Sequence, residues 1–314
     1  MSLKVAIQMD PIELVDIDAD STFRLAEEAQ IRGHELFYYT PNKLILENGI
    51  VFAKGSKLKV KRVKGDHFTL EKEILVNLND FDVVWLRQDP PFDMGYITYT
   101  HMLDRLGSNT LVVNDPFWVR NYPEKLLVLN FPDLTPPTVI ARDITALKEF
   151  KEKHKDIIIK PLYGNGGAGV FRLGPDDKNI SSLHELFSGI NNEPLIAQKF
   201  LPDVSKGDKR IILVDGEPVG AINRVPAKGE TRSNMHVGGR PEKIELSQRD
   251  LEICARIGPL LKEKGQIFVG IDVIGNWLTE INVTSPTGIQ ELERFNKENI
   301  AELIWEAIEK RKKV

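Results

Sequence analysis

The stretch that most limits how this chain can fold is FVGIDVIGNWLTEINVTSPTG, residues 268–288. It reads as two apolar strands joined at Gly275-Asn276, with Asp272, Glu280 and Asn282 set into them. Register decides whether those three oxygen-bearing side chains act together. A two-residue loop pairs Ile271 with Glu280 and leaves Asp272 on the other face. A three-residue loop, Gly275 to Trp277, pairs Asp272 with Glu280, Ile271 with Ile281 and Val273 with Thr279. Strand side chains alternate, so the second register gathers Asp272, Glu280 and Asn282 on one face and the β-branched residues on the other. It is preferred because apolar then meets apolar. Two carboxylates so placed repel by about 4 kcal/mol at ~4 Å and an effective dielectric of ~20. A hard cation removes that cost, and two carboxylates with a carboxamide suit Mg²⁺ beside a phosphate. The plainer alternative is one carboxylate in a salt bridge and the other in solvent.

A chain of 314 residues has room for two or three domains or subdomains. Its hydrophobic share of 41% and charged share of 28% are those of a soluble globular protein. A net charge of −4 gives no general attraction to nucleic acid or to an anionic membrane. The single cysteine, Cys254, cannot form an internal disulfide, which fits a reducing, cytoplasmic setting. Residues 1–10 lack the apolar run of a signal peptide, and no stretch of about 18 apolar residues exists to span a membrane. Lys54, Lys57, Lys59, Lys61, Arg62 and Lys64 alternate with Leu58, Val60 and Val63. That spacing reads as exposed hairpin strands whose charges discourage edge pairing, rather than as a nucleic-acid surface.

Leu3–Met9 reads as a strand, Ser21–Arg32 as a helix capped by Ser21 and stopped by Gly33, and Leu36–Tyr39 as a second strand. A strand–helix–strand start predicts a parallel α/β first domain. No GxGxxG follows the first strand, so a dinucleotide fold is not supported. Arg87 follows the buried strand 81–86 at its C-terminal end, where ligands of open α/β sheets gather. It offers a fork for a substrate carboxylate, or else a surface pair with Asp89. Lys125 falls in the first turn of a helix starting near Pro123. The macrodipole disfavours a cation there, so a bound anion is one reason for it and plain solvation the other.

Asp156–Lys160 reads as a strand, followed by Gly164-Asn165-Gly166-Gly167-Ala168-Gly169 and strand again at 170–173. Such a run can turn backbone N–H groups inward around an anion. It lacks the Gly-Lys-Ser/Thr and following helix of a Walker loop, so a glycine-rich hairpin over a nucleotide is the better picture. Lys160 adds a point charge for phosphate. Leu195–Leu201, LIAQKFL, is an apolar strand able to line an adenine slot. Asp208 and Arg210 share a strand face, and Arg210 can offset charge on a transferring phosphoryl group. Residues 225–240 form a long polar loop, a candidate lid in which Arg232 and Arg240 can close over anions. Ser247 to Asp250 is a capping box, and the helix after it buries Cys254 as a small core hydrophobe.

In order, Lys125, Lys160 with its glycine loop, AQKFLP, Asp208–Arg210, Asp272, Glu280 and Asn282 resemble the ATP-grasp superfamily. The strings MDPI (9–12), DPPFD (89–93), DLTP (133–136), GDKR (207–210), VDGEPV (214–219) and LTEINVTSPT (278–287) are similar to those of the bacterial glutathione synthetases, over nearly the whole chain. The resemblance implies an α/β chain, with α+β character in its ATP-grasp part. It implies a preATP-grasp substrate-binding domain (1–122), a central lid subdomain (123–202) and a carboxy-terminal catalytic subdomain (203–314). The implied reaction ligates γ-glutamylcysteine to glycine through an acyl phosphate, with ATP as cosubstrate and Mg²⁺, or Mn²⁺ in its place. Another carboxylate–amine ligase, or an ATP-binding module that no longer ligates, are the alternatives.

By the same resemblance, Lys125, Lys160, Gly164, Asn165, Gly166, Gly167, Gln198, Lys199, Phe200, Leu201 and Asp208 hold ATP. Asp272, Glu280 and Asn282 hold the metal. Arg210 and Arg232 are catalytic, and Arg87, Asn234, Ser285, Thr287 and Gly288 receive the peptide substrate. The family is often tetrameric. Phe200 stands where Tyr is frequent, and Gly169 adds a glycine to the loop.

Overall fold

The computed structural model of the chain describes residues 2–227, 229–230, 232–233 and 238–313. The first sheet takes β1 (Lys4–Gln8), β2 (Glu35–Tyr39), β3 (Leu44–Glu47), β4 (Ile50–Val60), β5 (Phe68–Leu70), β6 (Ile74–Asn77), β7 (Val83–Leu86) and β8 (Leu111–Val113). Its parallel part runs β2-β1-β7-β8, and antiparallel β4 extends it beyond β2. β1 and β7 are apolar and buried almost throughout, as strands covered on both faces must be. β4 corrects the expectation of an exposed edge. It is an interior strand, pairing with β2, β3, β5 and β6. Its lysines line the solvent face only: Lys54, Lys57 and Lys59 are exposed while Ala53, Leu58 and Val60 are buried.

The helix α1 (Ser21–Ile31) covers this sheet. Its cap is Asp20, whose carboxylate accepts from the Phe23 N–H at 2.6 Å, so Ser21 is the first helical residue and not the cap. The helices α2 (Met94–Leu103) and α3 (Pro116–Asn121) follow, and α4 (Glu124–Leu127) is a single turn.

A second, antiparallel sheet is ordered β11-β10-β12-β9, from β9 (Thr138–Ala141), β10 (Ile157–Pro161), β11 (Phe171–Leu173) and β12 (Leu195–Lys199). The helices α5 (Ile144–His154) and α6 (Ile180–Ile190) lie against it, over a small core of Leu147, Ile157, Ile159, Leu173 and Ala197. The third sheet, also antiparallel, is ordered β15-β14-β13-β16-β17: β13 (Asp208–Val214), β14 (Glu217–Val225), β15 (Arg240–Lys243), β16 (Phe268–Ile274) and β17 (Trp277–Asn282). It packs on α7 (Gln248–Glu263), whose capping box joins Ser247 and Asp250. Cys254 lies in that core, and burial pushes its thiol up to about 12, which fits a packing role.

The last helices, α8 (Ile289–Asn296) and α9 (Ile300–Lys312), return to the first sheet. Trp305 meets Trp85 edge-on, with ring centroids 4.8 Å apart, and its indole N–H donates to the Leu25 carbonyl at 2.9 Å. Asn114, just past β8, fixes the third sheet to the first. Its amide donates to the carbonyls of Phe268 (2.8 Å) and Val283 (2.9 Å) and accepts from the Phe268 N–H at 2.9 Å.

Candidate active site

The β16–β17 hairpin has the preferred pairing of Asp272 with Glu280 but not the three-residue loop. Its tip is the two-residue turn Gly275-Asn276, so Ile274 pairs with Trp277 and Val273 with Leu278, not with Thr279. A bulge then leaves Thr279 unpaired, and Asp272 faces Glu280 with Ile271 opposite Ile281. The Thr279 hydroxyl donates to the Asp272 carbonyl at 3.1 Å. Gly275 sits at φ 58°, the left-handed conformation that the turn requires. Gly270 is needed for close approach: a Cβ there would come within 2.9 Å of Arg210 Cδ.

Asp272, Glu280 and Asn282 line one wall of a cavity of about 270 Å³ between the second and third sheets. The opposite wall is Lys160 and the loop Gly164–Ala168, which joins β10 to β11. Gln198, Lys199, Phe200 and Leu201 line it from the end of β12, with Ile158, Val204 and Ile274 adding apolar surface. Gln198 is buried, and its amide donates to the Thr138 hydroxyl at 3.0 Å. Phe200 is covered by the Arg172 guanidinium, 3.8 Å from its ring centroid. The cavity lining is rich in paired charge.

Lys160 Nζ lies 3.2 Å and Lys125 Nζ 3.7 Å from Glu280 Oε1, and Lys125 also donates to the Gly164 carbonyl at 2.5 Å. Arg210 grips Asp272 with two bonds, Nε to Oδ1 at 2.5 Å and a terminal nitrogen to Oδ2 at 3.0 Å. Arg224 bridges Asp272 Oδ1 (3.0 Å) and Asp208 Oδ2 (2.6 Å).

The electrostatics follow from these contacts. Burial works to raise the Asp272 carboxyl, but Arg210 and Arg224 overcome it and hold the group far below the usual carboxylate range. Burial likewise opposes ionisation of Glu280, and Lys125 and Lys160 overcome it. Asp208 goes the other way, up to about 6, because burial outweighs Arg224 and Asp272 adds like charge. Its Oδ1 is buried without a hydrogen-bond partner, an acceptor waiting in the cavity wall. Asp272 and Glu280 are thus ionised at neutral pH, cross-strand neighbours, with Asn282 two residues along the same face. That donor set fits a hard divalent cation. Among the described residues no cluster of three His, Cys, Asp or Glu side chains forms a metal site.

Arg232, Ser285 and Thr287 also line the cavity. Arg232 reaches the Gly167 carbonyl at 3.4 Å, and the Ser233 hydroxyl donates to Asp208 Oδ2 at 3.0 Å. The structure does not bring Arg87 or Gly288 into the lining. Arg87 is buried, donating to the Thr22 hydroxyl (2.9 Å) and the Pro286 carbonyl (3.1 Å), so it braces the 285–287 turn from behind. Gly288 opens α8 in the left-handed conformation. Asn234 lies outside the described residues.

Among the charged lining residues, Arg224 and Glu124 escaped the sequence reading. Arg224 shows only as a charge two residues beyond Ile222 on an apolar strand face. Glu124 was overshadowed by Lys125 next to it.

Comparisons with known proteins bear on this arrangement. Residues 3–120 match the family model for the prokaryotic glutathione synthetase N-terminal domain, and residues 124–297 match the one for that enzyme's ATP-grasp domain. A glutathione synthetase of Brucella melitensis is 60% identical over 312 residues, covering 99% of this chain and 100% of that protein. One from Vibrio vulnificus is 44% identical, covering 99% of this chain and 98% of that protein. Among solved structures, D-cycloserine synthetase DcsG superposes with a TM-score of 0.70 at 15% identity, covering 98% of this chain and 99% of that one. The ATP-grasp ligase PsnB does so with a TM-score of 0.64 at 18% identity, covering 98% of both chains. These structures establish the fold alone.

Proposed function

The chain belongs to the prokaryotic glutathione synthetase family, and from that premise we propose how its cavity carries out the reaction. The activity is ATP-dependent ligation of γ-glutamylcysteine and glycine to glutathione, ADP and phosphate. ATP enters between the glycine loop and the β16–β17 hairpin. Its adenine takes the slot beside Gln198, Lys199, Phe200 and Leu201. Asp208 accepts from the nucleotide through its unpartnered oxygen, and Lys125 and Lys160 turn from Glu280 to the phosphates. Asp272, Glu280 and Asn282 would then hold Mg²⁺, or Mn²⁺, which would supply charge neutralisation for the phosphates.

The dipeptide lies along Ser285 and Thr287, with Arg87 fixing that turn. Its cysteinyl carboxylate attacks the γ-phosphorus to give an acyl phosphate. Arg210 offsets charge on the transferring group. The amine of glycine then displaces phosphate. No protein nucleophile is required; the work is positioning and charge stabilisation. Arg232 and the 225–240 loop keep water from the acyl phosphate.

The observation that carries this reading is the wall-to-wall pairing of Lys125 and Lys160 with Glu280. Two cations and a carboxylate that hold one another in the cavity lining are the groups that a triphosphate and its counter-ion would separate. Ligation assayed with both substrates, with and without Mg²⁺, tests it. Glutathione should form only with ATP, both substrates and the metal. Metal-independent turnover would refute the metal site.

No described helix is long and apolar enough to cross a membrane. The β4-region cations pair with Asp18, Glu27, Asp66 and Glu73, which supports small-molecule substrates rather than nucleic acid; a cytoplasmic homotetramer rests on the family resemblance alone.

A further inference from the structure

We propose that Glu124 receives the amine of the second substrate and takes its proton as the peptide bond forms. This rests on the ligase reading above and adds a residue that the reading does not use. Glu124 opens the single-turn helix α4, one position before Lys125, and lines the main cavity. It also lines an adjoining recess of about 20 Å³, walled by Pro90, Phe92, Tyr163 and Thr284. That is room for one small group, about the space that a water needs.

The decisive feature is what Glu124 lacks. Asp208, Asp272 and Glu280 in the same cavity each carry a cation. No described residue gives the Glu124 carboxyl a hydrogen bond or an ion pair. The groups acting on it are Lys125 on its own helix, Glu280 from β17, Arg210 from β13 and Asp272 from β16, and it in turn acts on the Tyr96 hydroxyl of α2. A carboxyl left without a hydrogen bond or an ion pair in such a place is complementary to a cation brought by substrate.

Both substrates bring an ammonium. The amine of glycine is the better match, because Glu124 shares its helix turn with Lys125. The Lys125 Nζ sits against Gly164 and Glu280, where the acyl phosphate would form. The recess also favours an amine without a side chain. Burial pushes the Glu124 carboxyl up to about 7, where a base is matched to neutral pH.

The step balances as follows. The ammonium gives one proton to Glu124, and the nitrogen lone pair forms the N–C bond to the acyl carbon. The C–O bond to phosphate breaks with its electron pair on phosphate. A second amine proton leaves with the phosphate, and Glu124 returns its proton to solvent.

The test compares wild type with Glu124→Gln at saturating ATP and γ-glutamylcysteine. Glycine is supplied in one arm and hydroxylamine in the other. Hydroxylamine is unprotonated at neutral pH and traps the acyl phosphate as a hydroxamate without a base. For Glu124→Gln, kcat/KM for glycine should fall about 100-fold while hydroxamate formation stays within about twofold of wild type. Parallel loss of both products in a folded variant overturns the proposal, as does unchanged glutathione formation. If Glu124→Gln does not fold, Glu124→Asp makes the same comparison, with glycine ligation reduced and hydroxamate retained. A wild-type chain that makes neither product removes the ligase premise itself, a result distinct from either Glu124 outcome.

Discussion

At the scale of single residues, the cavity is held ready by ion pairs that burial alone would forbid. Taking Asp272 and Glu280 out of water costs several kcal/mol each, and the pairing with Arg210, Arg224, Lys125 and Lys160 offsets it. Glu280→Ala should therefore abolish ligation while the chain still folds, since the two lysines can relax toward the open cleft. Circular dichroism with a coupled ADP assay checks it; unchanged turnover at limiting Mg²⁺ would refute the metal role. The same pairs set an acid limit. Asp272 and Glu280 titrate below their ordinary values of 3.8 and 4.5 in the folded chain, so the unfolded chain binds more protons as pH falls. The stability they contribute is present above those values and drains away as pH drops through the folded ones. Denaturant midpoints of wild type and Glu280→Gln below about pH 5 check this, the variant losing less on acidification. Parallel curves would refute it. The residue types were legible because Lys125, Lys160, Arg210 and the acidic pair each stand in a local context that marks them. Arg224 was not. Its partners, Asp208 and Asp272, come from two other strands, and no local spacing announces such a contact.

At the scale of elements, the hairpin shows how alternation can be right while turn length is wrong. Cross-strand apolar pairing correctly demanded Asp272 opposite Glu280. The tightest turn, Gly275-Asn276, also formed, and the bulge at Thr279 reconciles the two. A bulge adds one residue without altering composition, so pattern reading absorbs it into the loop instead. β4 was misread for a related reason. Alternating Lys marks a strand with one solvent face, but says nothing of whether neighbours pair along its margins. The 225–240 segment reads as a loop in the sequence because it has no period. Two of its described residues touch the cavity wall: Arg232 reaches the glycine loop and Ser233 reaches Asp208. Proteolytic cleavage between 225 and 240 should let water reach the acyl phosphate, so ATP is consumed without equal peptide. The ratio of phosphate released to glutathione formed, measured before and after cleavage, checks this. A ratio that stays at one after complete cleavage would refute the lid.

At the scale of the whole molecule, the chain's order in sequence is not its order in space. The three sheets draw on successive runs of the chain, residues 4–113, 138–199 and 208–282. The core of the first sheet does not respect them. Val5, Ile7, Val83 and Trp85 pack in one cluster with Ile300, Ile304, Trp305 and Ile308 of the last helix, and with Ile212 and Phe268 of the third sheet. A linear reading finds the C-terminal amphipathic helix but not the surface that receives its apolar stripe, because nothing near 300–312 encodes residues 5–85. The consequence is testable. Trp305 is fully buried, stacks edge-on with Trp85 and gives its N–H to Leu25, so Trp305→Ala leaves a cavity and an unpaired carbonyl. It should cost about 3–5 kcal/mol of unfolding free energy. Since the lost contacts tie the first sheet to the end of the chain, the cost should appear as one earlier cooperative transition, not as separate melting of the C-terminal part. A chain ending at 299 should leave the first sheet with an uncovered apolar face, and the isolated 1–122 segment should not fold. Urea unfolding followed by tryptophan fluorescence and far-ultraviolet circular dichroism decides between these pictures. A cooperative transition from isolated 1–122 would show that the first unit owns its core, and that the returning helix is cover rather than part of the fold.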